Sequence, residues 1–236
     1  MTRSLRRFAL LELALWASLY PLYLAVRGST IGDAATAAAN AESLIELEQR
    51  LSLFHEASLQ GALSFASGFF SAYYMVGFGP LIAAVLLWLG LRDRDSYGRL
   101  RTLLFASLAL AVVLYVAFPT APPRLVPGIG IADTVGLSGH DTGSFAGIRF
   151  NPYAAMPSMH VGWSLLVGVV GFRAARRLPL RAFFALHPLL MAVTVSATGN
   201  HYFVDSAAGA AIALLTLWLL ATMPRLRPIR LRARWA

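Results

Sequence analysis

Residues 199–223, GNHYFVDSAAGAAIALLTLWLLATM, decide the fold class of this chain. The run from Phe203 to Met223 is almost wholly apolar, and about 20 such residues are enough for a helix to cross a bilayer. An aspartate within an apolar run is costly unless it is paired, and His201, four residues before Asp205, would share its helix face. The stretch therefore predicts a membrane-spanning helix with a polar site at its start.

Five more apolar runs extend this pattern along the chain. Of the 236 residues, 58% are hydrophobic and 13% are charged, whereas a soluble domain carries roughly 25% charged residues. The predicted spans are Phe8–Val26, Leu63–Leu91, Thr102–Phe118, Ser158–Phe172, Ala182–Thr198 and Phe203–Met223. The first run has the basic start of a signal peptide but no small-residue cleavage site, so a span is favoured there. The sequence predicts an all-α, polytopic membrane protein, with six transmembrane helices bundled in one domain over residues 1–236.

The distribution of arginine predicts the orientation of these spans. All 20 basic residues are arginine, and most lie in four segments: the N-terminus, the loops 92–101 and 173–181, and the tail after residue 223. Only Arg27, Arg50, Arg124 and Arg149 lie in the segments that alternate with these. The positive-inside rule then places both termini in the cytoplasm of a multi-pass plasma-membrane protein. The net charge of +9 suits contact with anionic lipid headgroups and not with nucleic acid.

Two segments are expected on the outer face. Residues 33–60 predict an amphipathic interfacial helix, because apolar side chains recur at spacings of three and four: Leu44, Leu47, Leu51 and Phe54. This helix is either a spacer packed on its neighbours or a partial lid over a lipid site. Residues 119–157 contain six prolines, which prevent a regular element, and such a long apolar loop is expected to fold over the outer ends of the spans.

Two histidines meet at this outer face in the predicted topology. His160 begins the fourth span, and His201 lies in the turn between the fifth and the sixth. A carboxylate such as Asp205 that accepts the proton of one ring nitrogen leaves the other nitrogen of His201 free to act as a base or nucleophile. The three residues are therefore candidate catalytic residues. They would also suffice as ligands for a metal such as zinc, which is the alternative reading of the cluster.

The stretch MPSMHVGW, residues 156–163, supplies the parts of a phosphate site. Pro157 suits a helix start and Ser158 can cap it, and the first N–H groups of a helix bind anions well. His160 could then protonate a leaving alkoxide, while Gly162 allows close backbone approach. Arg124 is the best candidate cation, because its planar guanidinium matches the phosphate oxygens.

The motifs PSMHVG, residues 157–162, and GNHYFVD, residues 199–205, resemble the central and third motifs of the type 2 phosphatidic acid phosphatase (PAP2) superfamily. The resemblance covers roughly residues 100–220, the expected PAP2-like core. Within the superfamily, the two motifs are most similar to the branch that contains the inositol phosphorylceramide synthases. That branch transfers phosphorylated headgroups between lipids, whereas most of the superfamily hydrolyses lipid phosphates or diphosphates.

The resemblance implies a metal-independent, two-step reaction on a phospholipid or another phosphorylated lipid, with no cofactor. His201 attacks phosphorus and forms a phosphohistidine, and Asp205 orients His201. His160 protonates the leaving group and then activates water or a hydroxyl acceptor. The predicted phosphate-binding residues are Arg124, Ser158, Met159, Gly162, Gly199 and Arg149.

The chain departs from the family pattern at its cations. There is no lysine for the first motif, Leu125 follows Arg124 where the family has proline, and the usual Ser-Arg pair is Thr194-Val195. Arg124 and Arg149 are the candidate replacements. Fewer cations favour a phosphodiester donor or a transfer reaction. The alternatives are a simple lipid phosphate or prenyl diphosphate phosphatase, and a non-catalytic membrane protein that binds or transports lipids.

Overall fold

The computed structural model describes Glu12 and residues 33–136, 144–145, 148–149 and 151–222. Within these residues the regular secondary structure is helical apart from one antiparallel pair of two-residue strands, β1 (Ser144–Phe145) and β2 (Ile148–Arg149). The eight α-helices are α1 (Ala34–Arg50), α2 (Glu56–Ala62), α3 (Ser67–Val76), α4 (Gly79–Arg92), α5 (Arg94–Ala117), α6 (Met159–Ala174), α7 (Leu178–Ala197) and α8 (Phe203–Thr222). The helical class is confirmed there, while the predicted first span, Phe8–Val26, lies outside the described residues.

The prediction of six transmembrane helices is not confirmed. In the described part of the chain, α5, α7 and α8 are long and apolar enough to cross a membrane. The α6 helix is apolar but has only 16 residues. Large apolar side chains point outward from the longer helices, as suits lipid contact: Leu87, Val113, Leu186, Leu214 and Trp218.

The predicted span Leu63–Leu91 is two helices and not one. The segment Ser64–Val76 bends by 47° against α4, and the pair forms either one broken span or a re-entrant loop. Pro80, near the start of α4, has no N–H to donate to the preceding turn, which explains why the helix stops here. Gly77, directly after α3, is tightly enclosed, since an added Cβ would lie 2.7 Å from the Tyr73 carbonyl oxygen.

Close glycine contacts set the position of α6 at the centre of the bundle. An added Cβ at Gly162 would lie 2.7 Å from the Gly209 carbonyl oxygen of α8, and one at Gly168 would lie 2.7 Å from the Phe184 carbonyl oxygen of α7. Small residues allow membrane helices to approach to this distance. The start of α6 is therefore held directly against the first turns of α8.

The helix predicted over residues 33–60 is shorter and faces another way. It ends at Arg50, Ser52 takes a positive φ of 55°, and α2 begins after a short turn. The buried face of α1 consists of Ala37, Ala41, Leu44, Ile45 and Glu48. Of the predicted apolar stripe, Leu44 is buried, whereas Leu47 and Leu51 are 42% and 56% exposed. Small alanines and a carboxylate, rather than the larger leucines, fit against the neighbouring elements, and contact of the exposed leucines with the membrane surface stays a prediction.

The first part of the loop 119–157 packs against α1 and against the end of the same loop. The Ala121 N–H donates to the Ala37 carbonyl at 3.1 Å, and the Thr120 N–H donates to the Tyr153 carbonyl at 2.7 Å. The Asn40 side chain donates to the Pro119 carbonyl at 2.8 Å. These bonds join α1 and the loop in one layer beside the starts of α6 and α8.

Candidate active site

His160 and His201 meet at one end of the helix bundle. The His201 Nε2 atom lies 3.3 Å from the His160 Nδ1 atom. His160 is in the first turn of α6, and His201 lies between the end of α7 and the start of α8. The end of α5 is also here, since the Tyr115 hydroxyl donates to the Pro157 carbonyl at 3.0 Å. The arginine-rich loops lie at the opposite ends of these helices.

A tight turn built on Gly199 presents His201. Gly199 has a φ of 70°, which favours glycine, and an added Cβ would lie 2.8 Å from the Ala132 carbonyl oxygen. The Val195 carbonyl accepts from the N–H groups of Asn200 at 2.9 Å and His201 at 3.2 Å. Gly199 thus shapes the turn, and phosphate binding by this residue stays a prediction.

Asp205 lies behind His201, away from His160. Its Oδ2 atom is 3.4 Å from His201 Nδ1, and its side chain is fully buried. The same oxygen accepts from the Tyr202 N–H at 3.0 Å, and the start of α8 favours a negative charge. A carboxylate facing Nδ1 favours a proton on that nitrogen, which leaves the Nε2 lone pair directed towards His160.

The bend in the second predicted span holds the ring of His160. Tyr74 of α3 stacks on this imidazole with ring centroids 4.5 Å apart, and Phe78, in the bend, lies 4.1 Å away. Phe78 also stacks on Trp163 at 5.5 Å. Hydropathy alone missed this contact, because residues 63–91 are apolar throughout; the pair Gly77 and Pro80 was the available signal.

The first turn of α6 is capped and packed by three of the predicted phosphate-binding residues: Ser158, Met159 and Gly162. The Ser158 N–H donates to the Asp205 backbone carbonyl at 2.9 Å, and its hydroxyl accepts from the Val161 N–H at 3.5 Å. Met159 is buried in a cluster with Tyr115 and other apolar residues, and Gly162 faces α8. These contacts tie α6 to the residue that pairs with His201, and phosphate binding by the three residues stays a prediction.

Arg124 lies beside the turn that carries His201. Its Nη1 atom donates to the Asn200 side-chain oxygen at 2.6 Å, and its backbone N–H donates to the Gly199 carbonyl at 2.9 Å. The Nε atom is buried with no hydrogen-bond partner among the described residues. Arg124 also lines an open groove of about 600 Å³ with residues 125–128 and 130–132. The other predicted cation, Arg149, is in β2, and its side chain lies outside the described part, so its role stays a prediction.

Comparison with known proteins supports the motifs. The sequence model of the PAP2 superfamily matches residues 42–219. The chain belongs to the PAP2 superfamily. No curated protein matches it. The crystal structure of Aquifex aeolicus LpxE is similar, with a TM-score of 0.54 and 18% sequence identity, over 70% of this chain and 90% of that one. At this identity the likeness shows a shared fold. Membership and the apolar helices together indicate a membrane lipid phosphatase.

The two positions at which the PAP2 pattern has Ser-Arg carry neutral, buried side chains in this protein. Thr194 and Val195 are both fully buried, and the Thr194 hydroxyl donates within α7 to the Leu190 carbonyl at 2.7 Å. These two positions therefore place no charge near His201. Among the described residues, no three histidine, aspartate or glutamate side chains are arranged to hold a metal ion.

Two buried glutamates of this PAP2 protein also reach the site, and sequence reasoning missed them. Glu48 accepts from the Val204 N–H at 2.7 Å, and Glu56 accepts from the Phe203 N–H at 3.0 Å. Both side chains are fully buried. The available signal was the spacing of Glu48 from Ala37, Ala41 and Leu44, which places it on the same helix face once alanine is counted as a buried residue.

Proposed function

We propose that this PAP2 protein acts on phosphorylated lipid headgroups through a phosphohistidine at His201, without a metal ion. The observation that carries the proposal is the relay of three side chains. His201 Nε2 lies 3.3 Å from His160 Nδ1, while His201 Nδ1 lies 3.4 Å from Asp205 Oδ2. One ring nitrogen is thus held by a carboxylate, and the other faces the second histidine.

In the first step, His201 Nε2 attacks phosphorus and a P–N bond forms. The bond from phosphorus to the leaving oxygen breaks, and His160 transfers a proton to that oxygen. The positive charge that develops on the His201 ring is stabilised by Asp205, which is buried and therefore weakly screened. The two facing nitrogens lie 3.3 Å apart, so both rings border the place where a phosphoryl group would bind.

In the second step, His160 removes a proton from water or a hydroxyl acceptor, whose oxygen attacks the phosphohistidine. The P–N bond breaks and His201 is restored. Arg124 supports this chemistry, because its guanidinium is anchored on Asn200 and its backbone on the turn that carries His201. The N-terminal turn of α6 adds the partial positive charge of a helix start.

The scarcity of cations favours transfer of a headgroup over hydrolysis of a phosphomonoester. A diester carries less charge than a monoester, and the two buried positions that hold Ser-Arg in the family pattern are neutral here. The motif resemblance to the inositol phosphorylceramide synthase branch supports the same choice. Family membership alone supports the second candidate, a simple lipid phosphate or prenyl diphosphate phosphatase.

The arginine distribution supports a site on the outer face of the plasma membrane. His160 and His201 lie at the ends of α6 and α7 that are opposite the loop 173–181, which carries four arginines. Under the positive-inside rule that loop is cytoplasmic, together with both termini.

The test uses purified full-length protein in lipid vesicles. Labelled phosphatidic acid, prenyl diphosphate and phosphatidylinositol are supplied with and without inositol or a lipid alcohol, and free phosphate and new lipids are measured. The expected result is EDTA-insensitive conversion that His201→Ala abolishes, while His55→Ala, at an exposed position, retains it. Free phosphate as the only product would select the simple phosphatase. EDTA sensitivity, or activity that survives His201→Ala, would overturn the mechanism.

A further inference from the structure

The start of α8 is capped by three separate carboxyl groups. The N–H groups of three successive residues, 202–204, each donate to a different one: Tyr202 to Asp205 at 3.0 Å, Phe203 to Glu56 at 3.0 Å, and Val204 to Glu48 at 2.7 Å. All three carboxyl groups are fully buried. Two of these carboxyl groups lie outside the motif that carries His201, because Glu48 is on α1 and Glu56 is on α2.

The α2 helix holds both sides of the catalytic turn. Gln60, one helical turn after Glu56, donates to the Ala197 carbonyl at 3.0 Å, where α7 ends. It also exchanges two hydrogen bonds with the Ala132 backbone, at 2.9 Å and 2.7 Å. Glu56 and Gln60 thus bracket His201 from the same helix face, and any movement of α2 would be transmitted to the turn.

The Glu48 and Glu56 carboxyl groups are brought together at the start of α8, because their Oε1 atoms accept from the N–H groups of two successive residues, Val204 and Phe203. Two neighbouring carboxyl groups can hydrogen-bond to each other only if one of them carries a proton. No N–H or O–H donor among the described residues reaches the Oε2 atom of either. Two buried carboxylates this close are costly when both are charged, and Asp205 adds a third negative charge.

The groups that face the pair do not neutralise it. On α8 and its preceding turn these are Asp205 and Tyr202, whose hydroxyl is buried without a hydrogen-bond partner among the described residues. His201 is held by Asp205 on the far side. From the loop, Tyr153 packs beside α1 as a neutral side chain. A proton held between the two carboxyl groups would keep the α1–α2 contact with α8 favourable.

We propose that Glu48 and Glu56 are positioning residues, which hold the His201 turn through a shared proton and make the enzyme fail at alkaline pH when that proton is lost. The expected effect on activity rests on the proposed reaction at His201, while the expected effect on stability does not. Burial and the bond to Glu56 raise the pKa of Glu48 from 4.5 to about 8. A raised carboxyl pKa stabilises the fold fully below about pH 4.5, and this contribution declines steadily as pH rises to about 8 and is absent above it.

The test compares wild type with Glu48→Gln and Glu56→Gln in the full-length protein. Glutamine keeps the acceptor for the backbone N–H and does not titrate, so each variant replaces the shared proton with a permanent amide donor. Glu46→Gln is the matched control, since Glu46 is on α1 but exposed and paired with Arg50. Melting temperature and lipid turnover are both measured between pH 6 and pH 10.

Wild type and Glu46→Gln are expected to lose melting temperature between pH 6 and about pH 8 and to level off above it, because only the folded state holds the proton in that window. Their turnover is expected to fall about 16-fold between pH 8 and pH 9.5, because the protonated fraction falls from about one half to about 3%. Glu48→Gln and Glu56→Gln are expected to show neither change. If both variants keep the fall of wild type in melting temperature between pH 6 and pH 8, the shared proton is refuted. If turnover is absent in every protein while melting temperature behaves as expected, the reaction at His201 fails and the proton pair stands.

Discussion

Replacing Gly209 with alanine tests the packing that brings the two histidines together. A Cβ added at Gly209 lies 2.0 Å from the Ser158 carbonyl oxygen, whereas real Cβ atoms keep at least 3.0 Å from such an atom. Both groups are backbone-fixed, so the start of α6 has to retreat from α8 by about 1 Å. Ser158 caps α6 and His160 is two residues further, so the retreat carries His160 away from His201.

The magnitude follows from this displacement. A shift of about 1 Å between reacting groups lowers turnover by about 10²-fold, which corresponds to about 2.7 kcal/mol of activation free energy. Overpacking of this kind also lowers the free energy of unfolding by about 1–3 kcal/mol. The melting temperature is then expected to fall by about 2–4 °C for each kcal/mol.

The assay is lipid turnover by purified protein, normalised to the folded fraction from size-exclusion chromatography. Gly68→Ala on α3 is the matched control, because an added Cβ there meets nothing within 4 Å. Alanine at such an open helical site is expected to preserve turnover and stabilise slightly, by about 0.4–1 kcal/mol. Wild-type turnover in Gly209→Ala would refute the inference that this contact sets the distance between the histidines.

Three further substitutions test individual contacts of the site. Asp205→Asn keeps an acceptor for the Tyr202 N–H but no longer holds the proton on His201 Nδ1, so turnover is expected to fall by about 10³–10⁴-fold with little change in melting temperature. Arg124→Lys loses the planar contact with Asn200, and kcat/KM is expected to fall by an amount equivalent to about 1.5–3 kcal/mol of transition-state stabilisation. The control Arg50→Lys changes an exposed ion pair and is expected to leave kcat/KM unchanged. Phe78→Leu removes the ring 4.1 Å from His160 and is expected to lower turnover by an amount equivalent to about 0.5–1.5 kcal/mol, whereas Phe65→Leu, at a side chain 86% exposed, leaves it unchanged.

The meeting of the two histidines was predictable because each step depends on local pattern. His201 and Asp205 are four residues apart, so one helical turn brings them to the same face. The apolar runs after His160 and His201 are separated by one intervening span, so they imply two helices that run in the same direction and begin at one end of the bundle. Short-range periodicity and span order were sufficient for this part of the site.

The contribution of α1 and α2 was not predictable in the same way. The buried carboxyl group of Glu48 is stabilised by a hydrogen bond from the Val204 N–H, which lies far along the chain. A hydropathy pattern scores glutamate as exposed and alanine as neutral, so it selected Leu47 and Leu51, which are exposed. The bend beside Phe78 was hidden for a related reason, since both halves of the broken segment are equally apolar.

The central claim is tested most directly by trapping the phosphoryl group on the protein. The enzyme is mixed with a lipid labelled in its phosphate, the reaction is stopped in alkali during turnover, and the labelled peptide is identified by mass spectrometry. The account predicts an acid-labile, alkali-stable label on His201, which is absent in His201→Gln. Product formation with no label on the protein, or with the label on another residue, would contradict it.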